Sequence, residues 1–258
     1  MKRILYCLAA LLVLAMGSAQ AQQTSRLDEI IKRGTLRVGM TGDYLPFTSF
    51  DGETGKFRGF DVDMAEALGK ALGVKIEYVK TAWPQMMKDF ESDNFDIAMG
   101  GVSVTLDRQK KGFFSSPIMR EGKTPIARCA DRSKFETLAE IDRPGVRVIV
   151  NPGGTNERFA RTHLQNAELK VYDDNVTIFG EIAKGDADLM MTDASETRYQ
   201  QKLHPGVLCA VHPDKPFDFA GKAYWLQRDE ALKAFVDQWL HIAIENGSFK
   251  TIYAAWFE

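Results

Sequence analysis

Cysteine is scarce in this chain, with three in 258 residues. Cys7 lies in the first apolar run, which leaves Cys129 and Cys209, neither in a catalytic context. Four histidines, His163, His204, His212 and His241, share no metal-ligand spacing, so the chain offers no metal site on that ground. An excess of charge of one sign is missing too. The formal net charge is −2, with no basic stripe, and this argues against a nucleic-acid partner. Beyond its first residues the chain has no apolar run of transmembrane length. No Gly-Lys-Ser/Thr closes a phosphate loop, no third glycine completes a dinucleotide fingerprint, and no Gly-x-Ser-x-Gly elbow presents a nucleophile.

Among the features present, the amino terminus comes first. Lys2 and Arg3 precede an apolar run over 4–16, and Ala19-Gln20-Ala21 closes it as an A-x-A cleavage site. Residues 1–21 read as a secretory leader, with Gln22 opening the mature chain. No lipid-accepting cysteine stands at the cleavage point, so an exported protein with no membrane attachment after cleavage is expected. In an exported protein the even pair Cys129 and Cys209 suggests a disulfide, with two separate buried thiols as the alternative. About 237 mature residues are enough for one large or two modest domains.

The chain is organised around residues 186–196. Leu189, Met190 and Met191 read as a buried strand, and Thr192, Asp193 and Glu196 follow where it ends and a helix begins. An echo appears earlier. Asp96 precedes Ile97, Ala98 and Met99, after which come Ser103, Thr105, Asp107 and Arg108. Two such strand ends suggest two lobes facing one cleft. Helix-like spacing covers 25–34, 60–72, 84–92, 157–164, 176–184 and 229–246, and strands are expected at 35–40, 74–79, 146–150, 169–172 and 188–191. This alternation predicts an α/β protein of mostly parallel sheets flanked by helices. The segments 130–133 and 212–218 read as places where the chain changes lobe. The expected division is a discontinuous first lobe, 22–125 with 213–258, and an inserted second lobe, 126–212.

Several residues could carry chemistry. Asn151 to Asn156 place glycines before a helix whose amides favour anions; a carboxylate loop fits, and a plain turn with Thr155 or Asn156 as cap is the alternative. Arg108, with Ser103 and Thr105, suits a carboxylate, although taken alone it reads better as a solvated surface arginine. Lys123 by itself reads as an exposed lysine. Tyr44, Phe47 and Trp83 either sandwich a ring or fill the core, and spacing does not separate the two.

Together these residues resemble the periplasmic solute-binding proteins for polar amino acids. The resemblance rests on Gly42-Asp43-Tyr44-Leu45-Pro46-Phe47, Gly59-Phe60-Asp61-Val62-Asp63, the stretch from Asp96 to Arg108, and that from Asp188 to Asp193. It implies a two-lobe, type II periplasmic-binding-protein fold with the ligand between lobes. In that family the aromatic near Tyr44 stacks on ligand, the Arg at 108 takes a carboxylate, and the Asp at 193 takes an amino group. Closer still is the resemblance to the periplasmic cyclohexadienyl dehydratases. It is carried by Thr81-Ala82-Trp83-Pro84, Glu121-Gly122-Lys123-Thr124-Pro125, Val150 to Asn156, Asn175-Val176-Thr177-Ile178-Phe179, Leu189 to Ala194 with Glu196, and Leu208 to Pro213.

That second resemblance implies a carbon–oxygen lyase that converts prephenate to phenylpyruvate and arogenate to phenylalanine. Glu196 would be its general acid, with no metal or redox cofactor required. Tyr44, Trp83, Ser103, Arg108, Lys123, Asn151, Thr155, Asn156 and Asp193 would hold the substrate. A homo-oligomer is compatible with the resemblance. The rival reading is a non-catalytic amino-acid receptor of an importer, and Glu196 separates the two better than fold does.

Overall fold

A computed structural model describes residues 24–258; the expected leader lies outside the described residues. Helix α1 (Arg26–Arg33) starts where Ser25 and Asp28 form a reciprocal capping box and ends where Gly34 turns left-handed. Strand β1 (Thr35–Met40) follows, then a meander of β2 (Asp43–Tyr44), β3 (Thr48–Asp51) and β4 (Lys56–Arg58). Helix α2 (Phe60–Leu72) stops at Gly73, also left-handed. Next come β5 (Lys75–Lys80), α3 (Met86–Glu91), β6 (Ile97–Ala98), α4 (Leu106–Gln109), β7 (Phe113–Phe114) and β8 (Met119–Glu121).

The second lobe begins with β9 (Lys123–Arg128), a 3-10 turn at Cys129–Lys134 and α5 (Leu138–Ile141). Two strand–helix units follow: β10 (Arg147–Val150) with α6 (Thr155–His163), and β11 (Glu168–Val171) with α7 (Ile178–Lys184). A third, β12 (Leu189–Asp193) with α8 (Ala194–Leu203), leads to β13 (Leu208–Ala210). The chain returns through β14 (Ala220–Lys222) and β15 (Trp225–Leu226), and closes with α9 (Glu230–Glu245) and α10 (Ser248–Phe257).

Each lobe holds a five-stranded sheet, in the orders β5-β1-β6-β15-β7 and β11-β10-β12-β9-β13. One strand in each runs against the other four, β15 in the first and β9 in the second. The two sheets therefore repeat one design, the type II arrangement expected. Apolar side chains bury both faces of each sheet, as helix-covered parallel strands require. In the first lobe Trp225 stacks on Phe90 at 3.6 Å between ring centres. The lobes are joined by two antiparallel segments, β8 and β14, with Glu121 opposite Ala220 and Met119 opposite Lys222.

Several expectations shift in position. The expected crossing between 125 and 126 falls inside β9, whose whole length pairs in the second sheet. The polar segment 130–133 is no crossing; it forms the 3-10 turn behind β9. The helix expected over 229–246 does end before Gly247, and that left-handed glycine turns the chain into a further helix, α10, that was not expected. Cys129 and Cys209 do form a disulfide, with Cα atoms 4.7 Å apart, tying the end of β9 to its neighbour β13.

Candidate active site

Asp193 is the last residue of β12, 2% exposed, and caps the start of α8. Its Oδ1 accepts from Lys123 Nζ at 2.7 Å, while Oδ2 accepts from Lys222 Nζ at 2.6 Å and from the Tyr44 hydroxyl at 2.5 Å. Lys123 comes from β9 of the same sheet, but Lys222 and Tyr44 come from the crossing segment and the first lobe. The carboxylate of one lobe is thus clasped by groups of the other. Burial alone would push the Asp193 carboxyl up; the two ammonium groups outweigh it and hold it well below the usual carboxylate range.

Lys123 also donates to Thr155 Oγ1 at 2.9 Å and Asn156 Oδ1 at 2.5 Å. Asn156 Nδ2 in turn donates to Asn151 Oδ1 at 2.9 Å and Thr192 Oγ1 at 3.0 Å. The loop over 151–156 is therefore fastened to the end of β12. Its Gly153 is left-handed, and a Cβ there would lie 2.6 Å from Pro84 Cα across the cleft. Helix α6 starts at Thr155 behind Gly154, with no side-chain capping bond, so neither Thr155 nor Asn156 acts as the cap.

Glu196 lies in the first turn of α8, 1% exposed. Its Oε2 accepts from Thr192 Oγ1 at 2.5 Å, and Oε1 has no partner among the described residues. Burial, opposed by the Thr192 bond and reinforced by the Asp193 and Asp43 charges, raises its pKa to about 8. Two carboxyls three positions apart thus hold opposite protonation states at neutral pH. Asp193 is ionised between lysines, and Glu196 keeps its proton because it is buried beside other carboxylates.

A small cavity opens beside this cluster, lined by Tyr44, Trp83, Ser103, Asn151, Thr155 and Lys222 among others. Tyr44 and Trp83 both line the cavity and meet edge to face at 5.7 Å, and Tyr44 is at the same time part of the first-lobe core. Phe47, in contrast, is fully buried behind Tyr44, 5.0 Å between ring centres. Trp83 Nε1 donates to Asp43 Oδ1 at 3.1 Å, and Asn175 Nδ2 reaches from the second lobe to the Asp43 carbonyl at 2.8 Å.

Arg108 stands apart. It is 8% exposed, donates to the Ser103 carbonyl at 2.9 Å, and has no carboxylate partner among the described residues. Burial, with the nearby Arg158 charge, lowers its pKa to about 10. Reasoning from the sequence missed Lys222, Asp43 and Asn175. Asp43 and Asn175 stand inside segments that carried the resemblance, whereas nothing local distinguishes Lys222 from a solvated lysine. Among the described residues no cluster of His, Cys, Asp and Glu could hold a metal ion, and no helix is long and apolar enough to cross a membrane.

Comparison with known proteins gives the family of the chain. The model of the bacterial extracellular solute-binding proteins, family 3, matches residues 36–258. A cyclohexadienyl dehydratase of Pseudomonas aeruginosa is 55% identical over 100% of this chain and 95% of its own. An L-cystine-binding protein of Escherichia coli is 27% identical over 97% of this chain and 92% of its own. Among solved structures, an ancestral amino acid-binding protein, a precursor of cyclohexadienyl dehydratase, gives a TM-score of 0.83 at 36% identity, covering 91% of this chain and 100% of that one. An ancestral cyclohexadienyl dehydratase is 52% identical with a TM-score of 0.56, over 90% of this chain and 96% of that one. The chain belongs to the bacterial extracellular solute-binding proteins of family 3 and, within them, to the cyclohexadienyl dehydratases.

Proposed function

We propose that this protein is a periplasmic carbon–oxygen lyase converting prephenate to phenylpyruvate, and arogenate to phenylalanine, with Glu196 as the general acid. The observation that carries this is a buried carboxyl, raised to about 8, beside an ionised partner in the interlobe cleft. In the reaction Glu196 gives its proton to the ring hydroxyl and the carbon–oxygen bond breaks, releasing water. The electron pair of the bond to the ring carboxylate moves into the ring as carbon dioxide leaves, and the ring becomes aromatic. Glu196 regains its proton from solvent.

The other groups supply charge and orientation. Lys222 lines the cavity, with Lys123 just behind it, and both supply positive charge for a substrate with two carboxylates; Arg108 is assigned a carboxylate by the resemblance, and the uncapped amides of α6 favour an anion as well. Tyr44 and Trp83 wall the ring, while Asn151, Thr155, Asn156 and Ser103 supply fixed polar contacts that cost little reorganisation during reaction. The test is direct. Purified protein is incubated with prephenate and phenylpyruvate is read by its absorbance in alkali; arogenate is followed by phenylalanine release. Product from neither substrate would overturn the reading and favour a receptor, which a thermal-shift screen with amino acids would then reveal.

A further inference from the structure

Lys222 sits at the middle of the cleft with its side chain 1% exposed. An ammonium has three protons, and each has an acceptor within the chain: Asp193 Oδ2 at 2.6 Å, Ser103 Oγ at 3.0 Å and the Tyr44 hydroxyl at 3.3 Å. The same nitrogen lies 5.1 Å from the Tyr44 ring centre and 5.8 Å from that of Phe47, within cation–π range of both. Asp193 is the one carboxylate among the residues lining the cavity. A carboxylate offers about four lone-pair sites, and three are taken, by Lys123, Lys222 and Tyr44. Two ammonium groups around one carboxylate leave this cluster of three with one surplus positive charge, while Glu121 and Asp218 act on the lysines from outside the cavity lining.

We propose that Lys222 is the specificity-determining residue of the cleft: its ammonium holds, from within the chain, the place on Asp193 that a ligand's α-amino group would need, so the cavity favours 2-oxo acids over 2-amino acids. This rests on the reading that the cleft takes cyclohexadienyl substrates. An incoming ammonium must either displace Lys222, leaving a buried lysine unpaired, or settle beside two like charges. A neutral oxo group meets neither cost. The substrate's carboxylates, in contrast, are attracted by the same surplus cation. Prephenate, with its oxo side chain, is then favoured over arogenate, with its ammonium.

Phenylpyruvate and phenylalanine differ only by oxo against ammonium, and calorimetry with the two needs no turnover. The native protein should bind phenylpyruvate about tenfold or more tighter than phenylalanine. Lys222→Met, similar in length and uncharged, should shrink that ratio about tenfold. In Lys222→Ala, methylammonium added to the buffer should restore the preference for the oxo acid saturably, which loss of packing alone would not produce. Equal binding of the two ligands by the native protein, or an unchanged ratio in Lys222→Met, overturns the proposal. If the variants fail to fold, the native comparison decides. A native protein that binds the ligands as expected but converts neither prephenate nor arogenate would sink the dehydratase reading and leave the role of Lys222 standing.

Discussion

In the first lobe Asp96 stands just ahead of β6 and accepts from the Arg37 backbone N–H at 2.9 Å and from its guanidinium at 2.8 Å. In the second, Asp188 stands just ahead of β12 and binds Arg147 in the same two ways, at 2.9 and 2.6 Å. Arg37 and Arg147 each lie on the neighbouring parallel strand, one residue before the ladder pairs Val38 with Ile97 and Val148 with Leu189. The amino ends of the two central strands are therefore one device used twice. Their carboxyl ends diverge. After β6 come Gly100 and Gly101, whose amides both donate to Asp61 Oδ2, at 2.9 and 2.7 Å. Gly101 is left-handed, and a Cβ there would lie 2.5 Å from the Tyr44 ring. That end supplies backbone and wall. β12 ends in Asp193, and Glu196 follows in the first turn of α8, an ion-paired carboxylate and a neutral acid. Carboxylates that begin these strands fasten the sheet, and those that end one of them form the buried cluster to which the proposed chemistry is assigned.

The largest effect should come from the chemical end. Glu196→Gln keeps the size and the Thr192 contact but cannot supply a proton. Turnover of prephenate should fall ~10²–10⁴-fold with little change in affinity, measured by steady-state kinetics and by binding to the variant. In the native protein the rate should be level below neutrality and fall as pH rises through about 8, where Glu196 loses its proton. The sign for stability is the same. A carboxyl raised in the fold contributes fully below its ordinary value, and that contribution is lost as pH rises through about 8. A Glu196→Gln variant as active as the native enzyme would remove the contrast between the two strand ends.

The disulfide sharpens the comparison differently, because it binds the second sheet and has no counterpart in the first among the described residues. It closes a segment of 80 residues in sequence separation. Replacing both Cys129 and Cys209 with Ser should cost ~2–4 kcal/mol by denaturant unfolding. Both residues lie at the far side of β9 from Lys123, so kcat should change less than twofold, about the scatter of an assay. A large loss of kcat would mean that β9 does not hold Lys123 on its own.

Arg108 tests whether the first lobe contributes charge as well as wall. On the proposed reading its guanidinium, buried with no carboxylate partner among the described residues and bonded to the Ser103 carbonyl, takes a ligand carboxylate. Arg108→Met should weaken prephenate binding by ~1.5–3 kcal/mol in the Glu196→Gln background, read by calorimetry. Unchanged affinity would reduce Arg108 to a support for the Ser103 loop.

Much of this was legible in sequence for local reasons. Gly34 and Gly73 end helices because left-handed residues are needed there, and the apolar run at Leu189 can only be a buried strand. Asp193 and Glu196 were placed because both follow that run directly. The helix α10 was readable but passed over: Phe249, Ile252, Tyr253 and Trp256 recur at helical spacing, and all pack against the first core. Lys222 was not readable. It lies in β14, a strand of three residues whose partner β8 is about a hundred positions away, and only that pairing carries its ammonium into the cleft. Arg108 shows the opposite limit: its motif named the residue, but spacing did not say that its side chain would be buried without a counter-ion.

The smallest effect concerns the two strand-start pairs, and it asks how alike they are. Asp96 is fully buried and is approached by Arg33 and Arg37 together, with Arg26 at 3.6 Å. The Asp188 side chain keeps 16% of its exposure, and its Arg147 partner keeps 40%. Water can therefore repay part of what Asp188→Asn removes, and much less of what Asp96→Asn removes. Burial on its own would raise the Asp188 carboxyl; the Arg147 and Arg128 bonds outweigh it and lower it. Its contribution is accordingly present above the ordinary carboxylate range and lost as pH falls below it. Each substitution should cost ~1–3 kcal/mol, the range for losing charge-assisted bonds, with Asp96→Asn the larger by about 1 kcal/mol. Neither should move kcat appreciably, since both residues lie at the ends of the sheets away from the cleft. Parallel unfolding and kinetic measurements on the two variants decide it. A substitution at either position that left stability intact but cut turnover would place chemistry at the starts of these strands as well as at their ends.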